Sequence, residues 1–333
     1  MTLLVRPISP RLPRLFATSK RYRSTSNLDA AFLLSPRQAH EISDREQTVL
    51  LDASWFLPNS PRNPHAEFLA KRLPNAQFLD LDQVATPHEL GLKHMMPEPH
   101  VFAEAMGKFG ILPSSHVMIY DTQGVFSSPR ALFMFRAYGH NKSSIINGGL
   151  PCWVDEGLPL QTEKPQIPES VSYPVPNLDR ETIRGYEQMV SNSLLDPNKD
   201  TTYELVLDAR SKERFTGSAP EPRPGLSSGH IPNSFSLPFN TFLQKHKSTI
   251  DGSEYTTFLP DDALRDALEA AVGREQAGLI IDGKKPVVTT CGSGMTAGVL
   301  WLGLKLLGVK NPALYDESWT GYAMRSESQI VRN

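Results

Sequence analysis

After its first thirty residues the chain runs through the same order of elements twice, and a fold built from it must accommodate two copies of one plan. Val49-Leu50-Leu51-Asp52-Ala53-Ser54 is answered by Leu205-Val206-Leu207-Asp208-Ala209-Arg210, and Leu73-Pro74-Asn75-Ala76 by Ile231-Pro232-Asn233-Ser234. His116-Val117-Met118-Ile119-Tyr120-Asp121 is answered by Pro286-Val287-Val288-Thr289-Thr290-Cys291, and partners stay 156 to 170 residues apart. Each copy alternates short β-rich runs with helical stretches at Pro99 to Phe109 and Ala131 to Tyr138, then Asp261 to Val272 and Ala297 to Leu307. That alternation predicts an α/β fold, with a mainly parallel sheet flanked by helices in each copy. Two units also suit 333 residues, at about 150 residues per domain. Pro159, Pro165, Pro168, Pro174 and Pro176 lie between the copies and predict an extended linker. The expected boundaries are a tail over 1–28, a first domain over 29–158, a linker over 159–177 and a second domain over 178–333.

The copies part company at one position, where the first has Asp121 and the second Cys291. Cys291 ends an apolar run and opens Gly292-Ser293-Gly294-Met295-Thr296, with an apolar helix expected from Ala297. A cysteine in a small-residue loop at a helix N-terminus faces backbone N–H groups and the positive end of the helix dipole, both of which favour thiolate over thiol. The glycines thin the loop so that backbone can approach the sulfur. Cys291 is therefore the expected nucleophile. The loop after Asp121 has no cysteine, so the first copy should be inactive, serving as scaffold, cleft wall and donor of distant groups.

Composition bounds the remaining possibilities. The content is 39% apolar and 21% charged, with no run of eighteen apolar residues, which predicts a soluble protein without a membrane span. Cys152 and Cys291 are the two cysteines, too few for a disulfide framework; Cys152, beside Trp153, reads as packing. Residues 1–28 hold Arg6, Arg11, Arg14, Lys20, Arg21 and Arg23 and no acid, the pattern of a mitochondrial transit peptide, although Pro7, Pro10 and Pro13 weaken an amphipathic helix. Mitochondrial localisation is expected, with a cytoplasmic pool if import is inefficient. The rest carries 28 basic against 36 acidic residues, and an acidic body argues against direct nucleic-acid binding. No Cys/His ligand cluster or Gly-Lys-Thr phosphate loop implies a metal or organic cofactor, and none is expected.

From residue 30 to about 325 the chain resembles the tandem-rhodanese sulfurtransferases, and among them the 3-mercaptopyruvate sulfurtransferases. The resemblance rests on Leu51-Asp52-Ala53-Ser54-Trp55, Asp208-Ala209-Arg210 leading to Arg214-Phe215, Pro220-Glu221-Pro222-Arg223, Ser228-Gly229-His230-Ile231-Pro232 and Cys291-Gly292-Ser293-Gly294. Departures are Met295 where Val is usual, Asn75 and Asn233 where Gly is common, and a less aromatic Thr320-Gly321-Tyr322; Asn tolerates the left-handed backbone that Gly would supply. Two rhodanese-like domains are implied, and a reaction in two half-steps. Cys291 takes sulfur from 3-mercaptopyruvate as a persulfide, releasing pyruvate, and a thiophilic acceptor such as thioredoxin then removes it. Thiosulfate-specific relatives carry basic residues after the cysteine to suit a dianion, whereas Gly292 and Ser293 supply no charge.

The resemblance also implies site residues. Arg214 and Arg223 match the substrate arginines, whose guanidinium forks suit a keto acid's carboxylate. Gly292, Gly294, Met295 and Thr296 complete the loop around the donor. Ser293, His94 and Asp82 match a serine, histidine and aspartate proposed to deliver the proton that pyruvate needs, with the carboxylate fixing the histidine tautomer. Arg210, next but one to Asp208, reads as half of a structural ion pair. Among rivals, a cysteine phosphatase needs Arg six residues after the cysteine and His before it; here those are Ala297 and Thr290. A papain-like protease needs another architecture. Two alternatives stay open: a thiosulfate sulfurtransferase, and a persulfide carrier in a protein sulfur relay of the kind linked to transfer-RNA thiolation and cofactor sulfuration.

Overall fold

The computed structural model describes residues 30–43, 45 and 47–332, so the basic segment 1–28 lies outside the described residues. In the first half the chain forms β1 (Leu33–Leu34), α1 (Pro36–Ser43), β2 (Thr48–Asp52), α2 (Pro64–Ala70), β3 (Gln77–Phe78), α3 (Pro99–Lys108), β4 (His116–Tyr120), α4 (Ser128–Ala137), β5 (Ser143–Ile146) and α5 (Gly149–Asp155). In the second it forms β6 (Ile183–Arg184), α6 (Tyr186–Ser193), β7 (Leu205–Asp208), α7 (Lys212–Thr216), β8 (Ser234–Ser236), β9 (Leu243–Lys247), β10 (Glu254–Phe258), α8 (Asp261–Val272), α9 (Arg274–Ile281), β11 (Val287–Thr290), α10 (Ala297–Leu306), β12 (Ala313–Tyr315) and α11 (Ser318–Ala323).

The two five-stranded sheets have orders β1-β5-β4-β2-β3 and β6-β12-β11-β7-β8, the same order when equivalent strands are matched. Every pairing within them is parallel, which bears out the expected α/β fold. β2, β4, β7 and β11 are apolar because helices cover both faces of a parallel sheet. The predicted helices appear within a few residues of their expected ends. Asn75 and Asn233 take φ of 58° and 62°, the left-handed backbone expected of Asn in those turns. The proline-bearing stretch after α5 forms no helix or strand; it runs back over the first half, pairing Gln161 with Arg72 and donating Val171 N–H to Gly107 O.

Equivalent helices α4 and α10 pack against each other, and one apolar core continues through both halves. Within it Trp301 packs edge-to-face with Phe133 and Phe32, ring centres 5.2 and 6.3 Å away. Such aromatic pairs add about 0.5–1.5 kcal/mol each beyond their burial. The N-termini of these helices approach closely at Gly298, where a Cβ would sit 2.8 Å from Arg130 N. The antiparallel hairpin β9–β10, absent from the first half, clasps that half from outside. Asp155 accepts from Ser248 Oγ and Thr249 N at 3.0 and 2.8 Å, and Thr256 N donates to Gln123 O at 3.2 Å. Among the described residues no helix is long and apolar enough to cross a membrane, and no group of acidic, His and Cys side chains is arranged to hold a metal.

Candidate active site

β11 ends at Thr290, and Cys291 begins the loop that leads into α10. Cys291 is 2% exposed, and its sulfur accepts one hydrogen bond, from Gly294 N at 3.1 Å. Gly294 has φ of 84°, and a Cβ there would lie 2.8 Å from Asp316 O, so both its backbone and its neighbour demand glycine. The loop is pinned from below by the start of α11. Ser318 Oγ accepts from Cys291 N at 3.1 Å, Trp319 N donates to Cys291 O, and Thr320 donates both its N–H and its hydroxyl to Gly292 O. Ser318 sits at φ of 51°, an uncommon backbone for serine that the bonds to Cys291 N and Tyr315 O hold in place.

Arg214 and Arg223 flank Gly292: a Cβ there would come within 3.1 Å of Arg214 Nη2 and 3.8 Å of Arg223 Nη1. Arg214 is anchored by Glu221, which accepts from its Nε at 3.1 Å and pairs with its Nη2. The other oxygen of Glu221 pairs with Arg210 Nη1 at 2.7 Å, and Arg210 in turn grips both oxygens of Asp208 and lies over the Trp319 ring. Arg210 is thus the expected structural partner of Asp208, and it reaches Glu221 as well. Among the described residues no hydrogen bond or ion pair engages Arg223. It borders a cavity of about 380 Å³ with Leu226, Thr320 and Met324.

The first half contributes His94 and Asp82. His94 Nδ1 donates to Asp82 Oδ1 at 2.9 Å, its ring meets Trp55 edge-on at 5.1 Å, and Trp55 Nε1 donates to Asp82 Oδ2 at 3.4 Å. Burial acts to raise the Asp82 pKa but is outweighed by the His94 and Trp55 hydrogen bonds and the charges of His94 and Lys93, so the carboxyl lies below its ordinary value. His94 Nε2 is buried without a partner, and its backbone, at φ of 47°, is left-handed. The turn is tied to the second half: Met96 N donates to Asp316 Oδ2, and Arg130 bridges His94 O and Asp316 Oδ1.

Residues 190–325 match the rhodanese-like domain family. A probable 3-mercaptopyruvate sulfurtransferase of Schizosaccharomyces pombe is 38% identical over 84% of this chain and 88% of its own length. The chain belongs to the tandem-rhodanese sulfurtransferases. Human 3-mercaptopyruvate sulfurtransferase is 37% identical over 85% of the chain and 87% of its own length. A sulfur transferase subunit of yeast mitochondrial complex I is also similar, at a TM-score of 0.76 and 30% identity, covering 90% of this chain and 99% of that one.

This tandem rhodanese gathers most of the residues singled out from its sequence. Cys291, Gly292 and Gly294 line up with Arg214 and Arg223, and Asp82 meets His94. Met295 is buried, and Thr296 stands just before α10 without a side-chain bond to the helix. Ser293 is half-buried, and no hydrogen bond joins it to His94 among the described residues. Of the N–H groups expected around the sulfur, that of Gly294 alone bonds to it among the described residues. Glu221, Asp316, Ser318 and Arg130 were not foreseen. Glu221 stood in the quoted Pro-Glu-Pro turn, an acid between two arginines, which was the available signal for it.

Proposed function

We propose that this chain moves sulfur from 3-mercaptopyruvate to a thiophilic acceptor through a persulfide on Cys291. In the first half-step the thiolate attacks the donor's sulfur; an S–S bond forms, the donor's C–S bond breaks, and its electron pair passes to carbon, giving the enolate of pyruvate. A proton completes pyruvate. In the second, an acceptor thiolate attacks the outer sulfur and the Cys291 thiolate returns. The observation that carries this reading is Cys291 accepting from Gly294 N in a loop flanked at Gly292 by two arginines. One of them, Arg214, is oriented by Glu221, and the other, Arg223, faces a cavity; together they suit one carboxylate and its adjacent ketone. The close relatives named above fit the same donor.

The roles of individual groups belong to this proposal. Arg214 and Arg223 hold the donor, Gly292 and Gly294 leave it room, Met295 and Thr296 shape the loop, and Ser293 works with His94 and Asp82 in proton delivery. The Asp82 carboxylate keeps the proton on His94 Nδ1, leaving Nε2 basic. The lack of basic residues in the loop after Cys291 disfavours thiosulfate. Thioredoxin or a sulfur-relay protein is the acceptor we favour, and import directed by residues 1–28 places the protein in mitochondria, the compartment of the yeast complex I subunit it resembles.

Intact-mass measurement after incubation with 3-mercaptopyruvate tests the reading: the wild type should gain one sulfur and release one pyruvate, and Cys291→Ser should do neither. Cys152→Ser should behave as wild type. A wild type that gains no sulfur would overturn the assignment. Arg214→Ala and Arg223→Ala should each weaken kcat/KM by about 1.5–3 kcal/mol, the worth of a charge-assisted hydrogen bond.

A further inference from the structure

We infer that Arg130, in the first turn of α4 and so in the half without the cysteine, is a positioning residue for sulfur transfer that acts by holding the His94 turn against the cysteine loop. Its guanidinium is 2% exposed. Nη2 donates to His94 O at 2.8 Å and to Asp316 Oδ1 at 2.5 Å, while the other oxygen of Asp316 accepts from Met96 N at 2.9 Å. The turn carrying His94 is therefore gripped twice, at the carbonyl of residue 94 and the amide of residue 96, by one ion pair that spans the two halves. Nη1 is buried without a hydrogen-bond partner and lies against Gly294, where a Cβ would come within 3.5 Å of it. Gly294 is the residue whose N–H meets the Cys291 sulfur.

Helix stability does not account for this placement. A cation in the first turn opposes the helix dipole, and a buried ion pair is often no more stable than apolar side chains of the same volume. What the pair achieves is geometric. His94 keeps a left-handed backbone that costs a non-glycine residue on the order of 1–3 kcal/mol and persists only where its surroundings over-determine it. Arg130 and Asp316 supply that determination, and the same guanidinium packs on the loop that carries the nucleophile.

The inference rests on the proposed role of His94, and a double-mutant cycle separates the two. Pyruvate release would be followed for wild type, His94→Asn, Arg130→Gln and the double mutant, with thermal unfolding of each. His94→Asn should lower kcat. Arg130→Gln should lower kcat by about tenfold or more with KM for 3-mercaptopyruvate within about threefold, and the double mutant should be little worse than the poorer single. Arg130→Lys, which keeps the charge beside Asp316, should recover part of the loss, and it carries the same cycle if Arg130→Gln does not fold. Multiplicative losses, a loss confined to KM, or wild-type kinetics in Arg130→Gln would overturn the inference while leaving His94 in place. Wild-type kcat in His94→Asn would instead remove the proton-delivery reading, and with it Arg130's action through His94.

Discussion

Two loops occupy equivalent places in the two halves, and they close around different atoms. After β4 the loop wraps the Asp121 carboxylate: Phe126, Ser127 and Ser128 donate their N–H groups to Oδ2 at 2.9, 3.1 and 3.0 Å, Ser128 Oγ adds a fourth bond, and Gln123 N reaches Oδ1. After β11 the loop wraps Cys291 with one such bond, from Gly294. The same architecture, a strand leading by a loop to a helix N-terminus, is an anion cradle in both halves. The first half fills its own cradle and gains rigidity. The second commits a single N–H bond to its sulfur among the described residues, so the group at its centre is not locked in place and charge can appear and move there during a reaction.

This contrast predicts a division of labour. Its largest expected effect is on activity: Cys291→Ser should abolish pyruvate release while changing unfolding free energy by less than about 1 kcal/mol, since a single bond to a buried sulfur is at stake. A marked loss of stability would mean that the second loop, too, is built around its first residue. The next contrast lies two residues past β2 and β7. Arg210 satisfies buried Asp208 and Glu221, whereas the first half has Ser54 at the matching place. Arg210→Met should cost about 3–5 kcal/mol in chemical denaturation, because buried Asp208 loses its cation and Glu221 one of its two. A change below 1 kcal/mol would show that water reaches Asp208.

Much of this could be read from the sequence because repetition, apolar runs and a proline-rich interval are local signals. The alternation of strands and helices, the helix at Ala297, and Asn75 and Asn233 in left-handed turns all follow from short-range rules. So did the grouping of Cys291 with Arg214 and Arg223, through motif resemblance. Contacts that join the halves were not legible. Asp316 lies 220 residues from Met96 and 186 from Arg130; their meeting depends on how the two halves pack, which no local pattern encodes. Ser318 was hidden for another reason: a serine in the left-handed region leaves no compositional trace, unlike a glycine. Asp121 was recognised as the counterpart of Cys291 but not as the anion that fills its own loop.

That last point supplies the next test. Asp121→Ala should destabilise the protein by about 2–3 kcal/mol, since it strands buried N–H groups at the start of α4, and should lower kcat less than Arg130→Gln, whose side chain meets Gly294 directly. Loss of activity at unchanged stability would instead place the first loop in the chemistry and break the proposed division.

The last contrast concerns Asp52, the first-half counterpart of Asp208. Asp52 is fully buried and hydrogen-bonded to Ser54 N and Oγ at 2.9 and 2.5 Å, and among the described residues it pairs with no arginine. Burial is the main cause that pushes its pKa up to about 7; the Ser54 and Tyr120 hydrogen bonds work against it, and the nearby Asp121 charge adds to it. A carboxyl raised in the folded state stays protonated there while the unfolded chain ionises near 3.8. Its stabilising contribution is complete below that value and is lost as pH rises toward 7, at a slope of at most about 1.4 kcal/mol per pH unit. Asp52→Asn should flatten unfolding free energy over this window, with the difference from wild type greatest above pH 7, where Asn avoids a buried charge. Measured from pH 4 to 8, parallel curves for mutant and wild type would show that Asp52 ionises normally, and that lacking the arginine costs the first half nothing.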